Sequence, residues 1–353
     1  MRVKSEARLV GGTRKTPGRI PSLDGLRAIS ISLVIVSHLI GTSRFGGTFM
    51  FLGNLGVRIF FVISGFLITG LLMQERERSG RINLPRFYMR RALRIFPAFY
   101  VYLGVIGVCA AIGWIVVPRL DFLEAGMYIM NYVTASQNSH YLRHIWSLSV
   151  EEQFYLLWPG ILSLAGQARG IKVTAAVIVL LPVLRLTYWR FFPEWRNMID
   201  TRFETVCDAL ATGCVLAMAQ RWLADQFRYN QWLRSPAFYL VPLTVLLDSL
   251  FLAPHPRAYN GIGVTALNVG IALCIDRWVR YPEGLVAAAL NSAPFRAVGV
   301  LSYSIYLWQA LFLDSNGDTP FRFAPLNLLG VAVCSLCSFF LIERPIRQLR
   351  ARV

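Results

Sequence analysis

The 353-residue chain is poor in acidic residues and lacks the motifs that mark several large enzyme classes. It has 19 Asp plus Glu against 36 Lys plus Arg, and only 16% of its residues are charged. It contains no metal-ligand spacing, no glycine-rich nucleotide-binding loop and no Gly-x-Ser-x-Gly sequence. These absences weigh against a metalloenzyme, a nucleotide-binding domain built on a glycine-rich loop, and a serine hydrolase with a nucleophile elbow.

Internal repeats and low-complexity segments are also absent. Many transporters are built from two related halves with interrupted helices, so the missing repeat weighs against a transporter. The six cysteines all fall inside apolar runs, including Cys334 and Cys337, and we interpret them as small packing residues.

What the chain does have is hydrophobic sequence, which makes up 55% of its residues and gives a mean hydropathy of +0.49. Apolar runs near the bilayer-spanning length of about 20 residues recur throughout. The sequence therefore predicts an all-α integral membrane protein, a polytopic bundle of about ten transmembrane helices. The predicted spans are 24–43, 51–73, 95–117, 147–165, 172–192, 203–220, 236–253, 260–279, 296–313 and 326–343.

The distribution of positive charge predicts the orientation of this bundle. With the N-terminus inside, the inner segments hold 25 Lys and Arg and the outer loops hold eight. This bias places both termini in the cytoplasm of a multi-pass protein of the inner (cytoplasmic) membrane. Membrane topology and contacts with membrane lipids explain much of the net charge of +17. The charge therefore does not indicate nucleic acid as a partner. We divide the chain into a basic cytoplasmic tail (1–21), a transmembrane domain (22–347) and a short cytoplasmic end (348–353).

The first span, SLDGLRAISISLVIVSHLIG, carries three polar side chains that a membrane helix normally avoids: Asp24, Arg27 and His38. Arg27 and His38 are eleven residues apart, so they share a helix face at about 16 Å along the axis. This spacing indicates one elongated ligand lying along the helix. A neutral imidazole suits general-base work on a hydroxyl, and the alternative is that His38 only packs against a neighbouring helix.

A basic stripe follows the second span. Arg86, Arg90 and Arg94 recur every four residues, with Arg91 beside them. Guanidinium groups bind phosphate in a bidentate manner, so this stripe could hold the phosphates of a nucleotide-bearing ligand at the cytoplasmic face. Alternatively, it binds anionic lipid headgroups and fixes topology.

The stretch HIWSLSVEEQFYLLWP places two adjacent carboxylates, Glu151 and Glu152, in an apolar helix, with Tyr155 on the face of Glu151. Glu151 could orient an imidazole or take a proton. It could equally neutralise a buried arginine in a structural ion pair. We expect Ser147 and Ser149 to cap this helix.

The remaining polar candidates lie elsewhere. Tyr306 and Gln309 give the ninth span a polar face, and Glu343, at the end of the last span, is expected to pair with an arginine. His140 and His144 are four residues apart and placed outside the membrane, with no carboxylates around them. We therefore predict no metal site.

Six segments together resemble the integral membrane acyltransferase-three family, over residues 21–347. The first is LDGLRA followed, ten residues beyond its arginine, by a histidine. The others are FFVISGFLIT (60–69), FYMRRALRIFPAFY (87–100), WSLSVEEQFYLLWP (146–159), SYSIYLWQ (302–309) and IERP (342–345).

This resemblance implies a ten-helix domain that moves an acyl group, usually acetyl, from cytoplasmic acyl-CoA to a hydroxyl of a cell-envelope glycan or lipid-linked sugar. Acyl-CoA is then a co-substrate, and no cofactor is bound permanently. The matching positions make Arg27 and His38 the essential pair and Glu151 the acidic position. Arg90, Arg91 and Arg94 fall in the basic motif.

His38 then acts either as a general base or as an acyl relay, and the sequence leaves both routes open. The family often has a histidine at the position of Gln309. Because this chain has glutamine there, a role for a second imidazole at that position is in doubt. There are two alternatives. The acceptor could be a small hydroxylated natural product, or the protein could be a transporter without catalytic activity.

Overall fold

The computed structural model describes residues 20–40, 46–133, 139–313 and 325–350, and these ranges are helical and contain no strand. Most of the predicted N-terminal tail and the last three residues lie outside them. The α-helices are α1 (Pro21–Ile40), α2 (Gly46–Ser79), α3 (Leu84–Ala111), α4 (Arg119–Gly126), α5 (His140–Arg143), α6 (Ile145–Phe191), α7 (Phe203–Asp225), α8 (Phe227–Arg234), α9 (Leu240–Phe251), α10 (Pro256–Ala258), α11 (Val264–Arg280), α12 (Leu285–Leu290), α13 (Ala293–Phe312), α14 (Leu326–Ser338) and α15 (Arg344–Arg350). Short 3₁₀ helices cover Met130–Tyr132, Pro193–Met198 and Pro236–Tyr239, and π-helical turns cover Tyr259–Gly263 and Phe339–Glu343.

Six helices in this part of the chain are long and apolar enough to cross a membrane. They are Pro21–Ile40, Phe51–Ser79, Leu84–Ala111, His140–Phe191, Pro256–Arg280 and Leu326–Gln348. The helical, membrane-protein prediction is therefore confirmed, while the count of ten spans and the orientation of the termini stay predictions.

Helix α6 covers two of the predicted spans. Its backbone is not helical at Gly166, where φ is 72°, a conformation that costs glycine little. Large apolar side chains are exposed on both sides of this break, among them Leu164 and Val179. Such a surface is expected of helices that face lipid.

Helix α1 is held between α2 and α13 by two close backbone approaches. A Cβ atom on Gly299 of α13 would lie 1.8 Å from the carbonyl oxygen of Asp24, and one on Gly56 of α2 would lie 2.6 Å from that of Ser30. Only glycine permits both contacts, so the two residues fix the position of the helix that carries Arg27.

Two buried arginines are neutralised away from α1. Arg185 and Asp208 form an ion pair of 2.8 Å, and both side chains are fully buried. Arg185 also donates to the carbonyls of Thr205 and Asn260. Arg58 lies 3.5 Å from Asp200. These arginines therefore have aspartate partners and do not need Glu151.

Candidate active site

A cavity of about 440 Å³ lies where α1, α2, α3, α6, α13 and α15 meet. Its walls combine apolar side chains, such as Phe60 and Leu148, with a polar lining. Eight of the thirteen residues that the sequence singled out line it: Asp24, Arg27, Arg91, Arg94, Glu151, Tyr155, Tyr306 and Glu343. The structure thus brings together residues from five separate sequence segments.

One end of the cavity is strongly basic. Arg91 and Arg94 line it from α3, and Arg347 joins them from α15. The Arg91 guanidinium lies 3.6 Å from the centre of the Tyr155 ring, a cation–π contact that fixes its plane. Sequence reasoning missed Arg347, which lies four residues after Glu343 and pairs with it at 3.3 Å.

The other two arginines of the stripe do not line the cavity. Arg86 is exposed, and Arg90 pairs with Glu75 at 3.8 Å. The reason is helical geometry: at about 100° per residue, Arg91 and Arg94 project within about 60° of each other. Around the helix, Arg90 lies about 40° from Arg94 on the side away from Arg91, and Arg86 lies a further 40° on, so both fall outside the arc between Arg94 and Arg91 that faces the cavity.

The middle of the cavity holds opposite charges. Arg27 lies 3.9 Å from Asp24, and its side chain is 19% exposed. Glu151 accepts a hydrogen bond from the hydroxyl of Ser64 on α2. Within the described ranges no arginine lies at ion-pair distance from Glu151. The structure therefore does not place it in the ion pair that was the alternative to a chemical role.

Tyr306 marks the far end of the cavity. Its hydroxyl donates to the backbone carbonyl of His144 at 2.7 Å and lies 2.6 Å from the hydroxyl of Ser147. Since the tyrosine proton goes to the carbonyl, Ser147 is the donor in the second contact. The prediction that Ser147 and Ser149 cap the helix is wrong. His144 occupies the cap position, and Ser149 bonds back to the carbonyl of Ile145.

His38 lies beyond the cavity, near the end of α1. Its ring centre is 6.2 Å from that of His140. His144 is 7% exposed, and its ring lies 5.5 Å from the Tyr306 ring and 5.7 Å from the Tyr102 ring, centre to centre. Sequence reasoning placed His140 and His144 outside and gave them no role. One feature of the sequence could have connected them. His140 and His144 come just before the helix of Glu151, at the predicted outer face, and His38 lies at the outer end of the first predicted span.

Three predicted residues have other surroundings. Glu343 accepts a hydrogen bond from Ser304 in addition to its ion pair. Glu152 and Gln309 do not line the cavity. One buried carboxylate oxygen of Glu152 and both side-chain polar atoms of Gln309 make no hydrogen bond in the described part of the chain.

The fold and cavity define a helical membrane protein with a site that runs from clustered arginines to a tyrosine–histidine end. The chain belongs to the integral membrane acyltransferase-three family, whose model, described as an acyltransferase domain, matches residues 20–344.

Curated relatives carry more specific names. The chain is 30% identical to the O-acetyltransferase OatA of Staphylococcus aureus, over 94% of this chain and 58% of that protein. It is 27% identical to the peptidoglycan O-acetyltransferase OatA of Listeria monocytogenes, over 95% and 57%. It is also 27% identical to the putative peptidoglycan O-acetyltransferase YrhL of Bacillus subtilis, over 93% and 55%. The chain thus spans little more than half the length of these relatives. No solved structure matches it significantly.

Proposed function

We propose that this protein is a membrane O-acyltransferase that moves an acetyl group from cytoplasmic acetyl-CoA to a hydroxyl of a cell-wall glycan. The observation that carries the proposal is the cavity, with Arg91 and Arg94 at one end and Tyr306 at the other. The similarity to O-acetyltransferases supports the acetyl group, and the relatives named for peptidoglycan support a glycan acceptor.

The donor binds with its phosphates at the basic end. Arg91, Arg94 and Arg347 offer guanidinium groups from two helices, and planar guanidinium groups match phosphate geometry. The pantetheine arm then extends past Arg27 and Glu151 toward Tyr306. The apolar walls exclude water from the thioester and limit its hydrolysis.

The reaction is the attack of a hydroxyl on the thioester carbonyl. His38 takes the proton of the acceptor hydroxyl, the oxygen forms the new ester bond, and the C–S bond breaks. The thiolate of CoA leaves and takes up that proton. Arg27, about 16 Å from His38 along the axis of α1, binds the donor closer to the basic end of the cavity. In the second route, His38 accepts the acetyl group and passes it to the hydroxyl, which gives the same products.

The orientation of the protein follows from this assignment. The basic end faces the cytoplasm, where acyl-CoA is made, and His38 faces the outer side of the inner membrane. Both termini are cytoplasmic, and ten helices span the bilayer. Glu151, held by Ser64, sits between the two ends and orients the reacting groups.

The test is acceptor-dependent release of free CoA from acetyl-CoA by the protein purified in lipid nanodiscs. The acceptor is a soluble peptidoglycan disaccharide of N-acetylglucosamine and N-acetylmuramic acid. We expect the disaccharide to accelerate release, and His38→Ala to abolish this while leaving CoA affinity within about threefold, since His38 does not line the cavity. Equal turnover in wild type and His38→Ala would contradict the assignment of the base or relay.

A further inference from the structure

His144 is a buried polar side chain with unmet hydrogen-bonding capacity. It is 7% exposed, and neither ring nitrogen makes a hydrogen bond of good geometry within the described ranges, although the backbone carbonyl of Leu307 lies near the ring. Burying an imidazole in this way carries a free-energy cost unless another group supplies the missing hydrogen bonds. The packing of the ring against Tyr102 and Tyr306 holds it in place.

The neighbours of His144 lead to the reacting end of the proposed site. His38, His140 and the Arg143 guanidinium are close enough to His144 to interact with it electrostatically. The rings of His38 and His140 are themselves 6.2 Å apart, centre to centre. Three of the four histidines of the chain therefore gather at one place.

The cavity reaches this cluster through Tyr306. Tyr306 lines the cavity, and its hydroxyl donates to the backbone carbonyl of His144. The backbone of His144 is therefore tied to the cavity wall at the end opposite Arg91 and Arg94. The His144 ring packs against Tyr306 behind this wall, although none of the three histidines lines the cavity itself.

We propose that His144 and His140 form the binding subsite for the acceptor and hold the hydroxyl that reacts beside His38. A neutral imidazole has one donor and one acceptor nitrogen, and a hydroxyl is likewise both donor and acceptor. The chemical class that fits is a polyhydroxylated ligand such as a saccharide. This inference rests on the proposed function, and it assigns the two histidines to binding, so neither forms a covalent bond.

The test compares His144→Phe, which keeps a packing ring without nitrogens, with His144→Gln and His140→Asn. Acetyl transfer is measured at varied concentrations of the peptidoglycan disaccharide, together with CoA affinity and direct disaccharide binding by calorimetry. We expect His144→Phe to raise the acceptor KM at least tenfold, with the Kd for CoA within twofold. His144→Gln retains part of the affinity, and His140→Asn raises KM less.

The fourth histidine supplies a matched control. His255 is exposed on the segment between α9 and α10, and His255→Ala should leave KM, kcat and both affinities unchanged. If His144→Phe does not give folded protein, His144→Gln and His140→Asn decide the question.

An unchanged acceptor KM in these variants overturns the subsite. A fall in kcat alone, with KM and disaccharide affinity intact, also overturns it, since it would assign the histidines to proton transfer. Failure of the proposed function has a different signature: wild-type protein that neither binds CoA nor transfers acetyl. In that case, direct disaccharide binding still tests the subsite.

Discussion

Alanine at Arg91 or Arg94 is expected to weaken CoA binding by one to two orders of magnitude, while alanine at Arg86 or Arg90 is not. All four arginines belong to the same basic stripe, and the sequence alone assigns them one role. In the structure, only Arg91 and Arg94 line the cavity. The comparison therefore tests the cavity itself, independently of the charge of the segment.

The magnitude follows from the type of contact. A hydrogen bond to a charged group contributes about 1.5–3 kcal/mol. At 1.4 kcal/mol for each factor of ten, losing one such phosphate contact raises the Kd about 10- to 150-fold. The ion pair of Arg90 with Glu75 is partly exposed, at 37% and 21% of the side chains, and such pairs contribute about 0–1 kcal/mol. Since Arg86 and Arg90 do not line the cavity, their variants lose no phosphate contact, and the Kd for CoA should stay within about fivefold of wild type.

The assay is calorimetric titration of CoA into each variant in nanodiscs of zwitterionic lipid, repeated in anionic lipid. Pantetheine, which lacks the nucleotide phosphates, is the control ligand, and its weaker binding should not depend on Arg91 or Arg94. Equal losses in all four variants would refute the geometric argument and favour a diffuse basic surface. Unchanged affinity in Arg91→Ala and Arg94→Ala would refute the phosphate site.

Three further predictions concern the charge at Glu151 and the packing around the site. Glu151→Gln keeps a hydrogen-bond acceptor for Ser64 but removes the negative charge. The rate of acetyl transfer should fall at least tenfold, while CoA affinity stays within threefold of wild type. Full activity would contradict this role. Arg185→Met leaves Asp208 buried without its ion-pair partner and should lower the free energy of unfolding by about 3–5 kcal/mol in an SDS titration. The double variant Arg185→Met/Asp208→Leu should regain at least half of the lost stability. Strict additivity of the two substitutions would count against the ion pair. Gly299→Ala forces α1 and α13 apart and should cost about 1–3 kcal/mol in the same titration. Gly70→Ala, where a Cβ meets nothing within 4 Å, is the control and should not destabilise the protein; equal effects at both glycines would argue against the close approach.

Much of the helical architecture could be predicted from the sequence because hydrophobic length is a local property. Arg27 and Glu151 could also be predicted as site candidates, because each is a charged residue inside an apolar run. The spacing of the arginine stripe also indicated an anion site. Arg86 and Arg90 lie outside the cavity because a four-residue repeat drifts by about 40° per step, and the sequence does not say where the cavity lies along that drift.

Contacts between distant segments could not be predicted in this way. Arg347 reaches the cavity only because α15 packs on α3, and His140 reaches His38 only because α5 lies near the end of α1. Neither approach leaves a periodic signal in the local sequence. The sequence predicted His140 and His144 at the same end of the bundle as His38 but gave no reason to connect them to it.

In the proposed mechanism, the acetyl group passes from the Arg91 side of the membrane to the His38 side. We would measure it in sealed proteoliposomes with uniformly oriented protein, labelled acetyl-CoA on one side and the peptidoglycan disaccharide on the other. We expect acetylated disaccharide when acetyl-CoA is on the Arg91 side and none when the two substrates are exchanged. Product only when both substrates share one side would contradict transfer across the membrane.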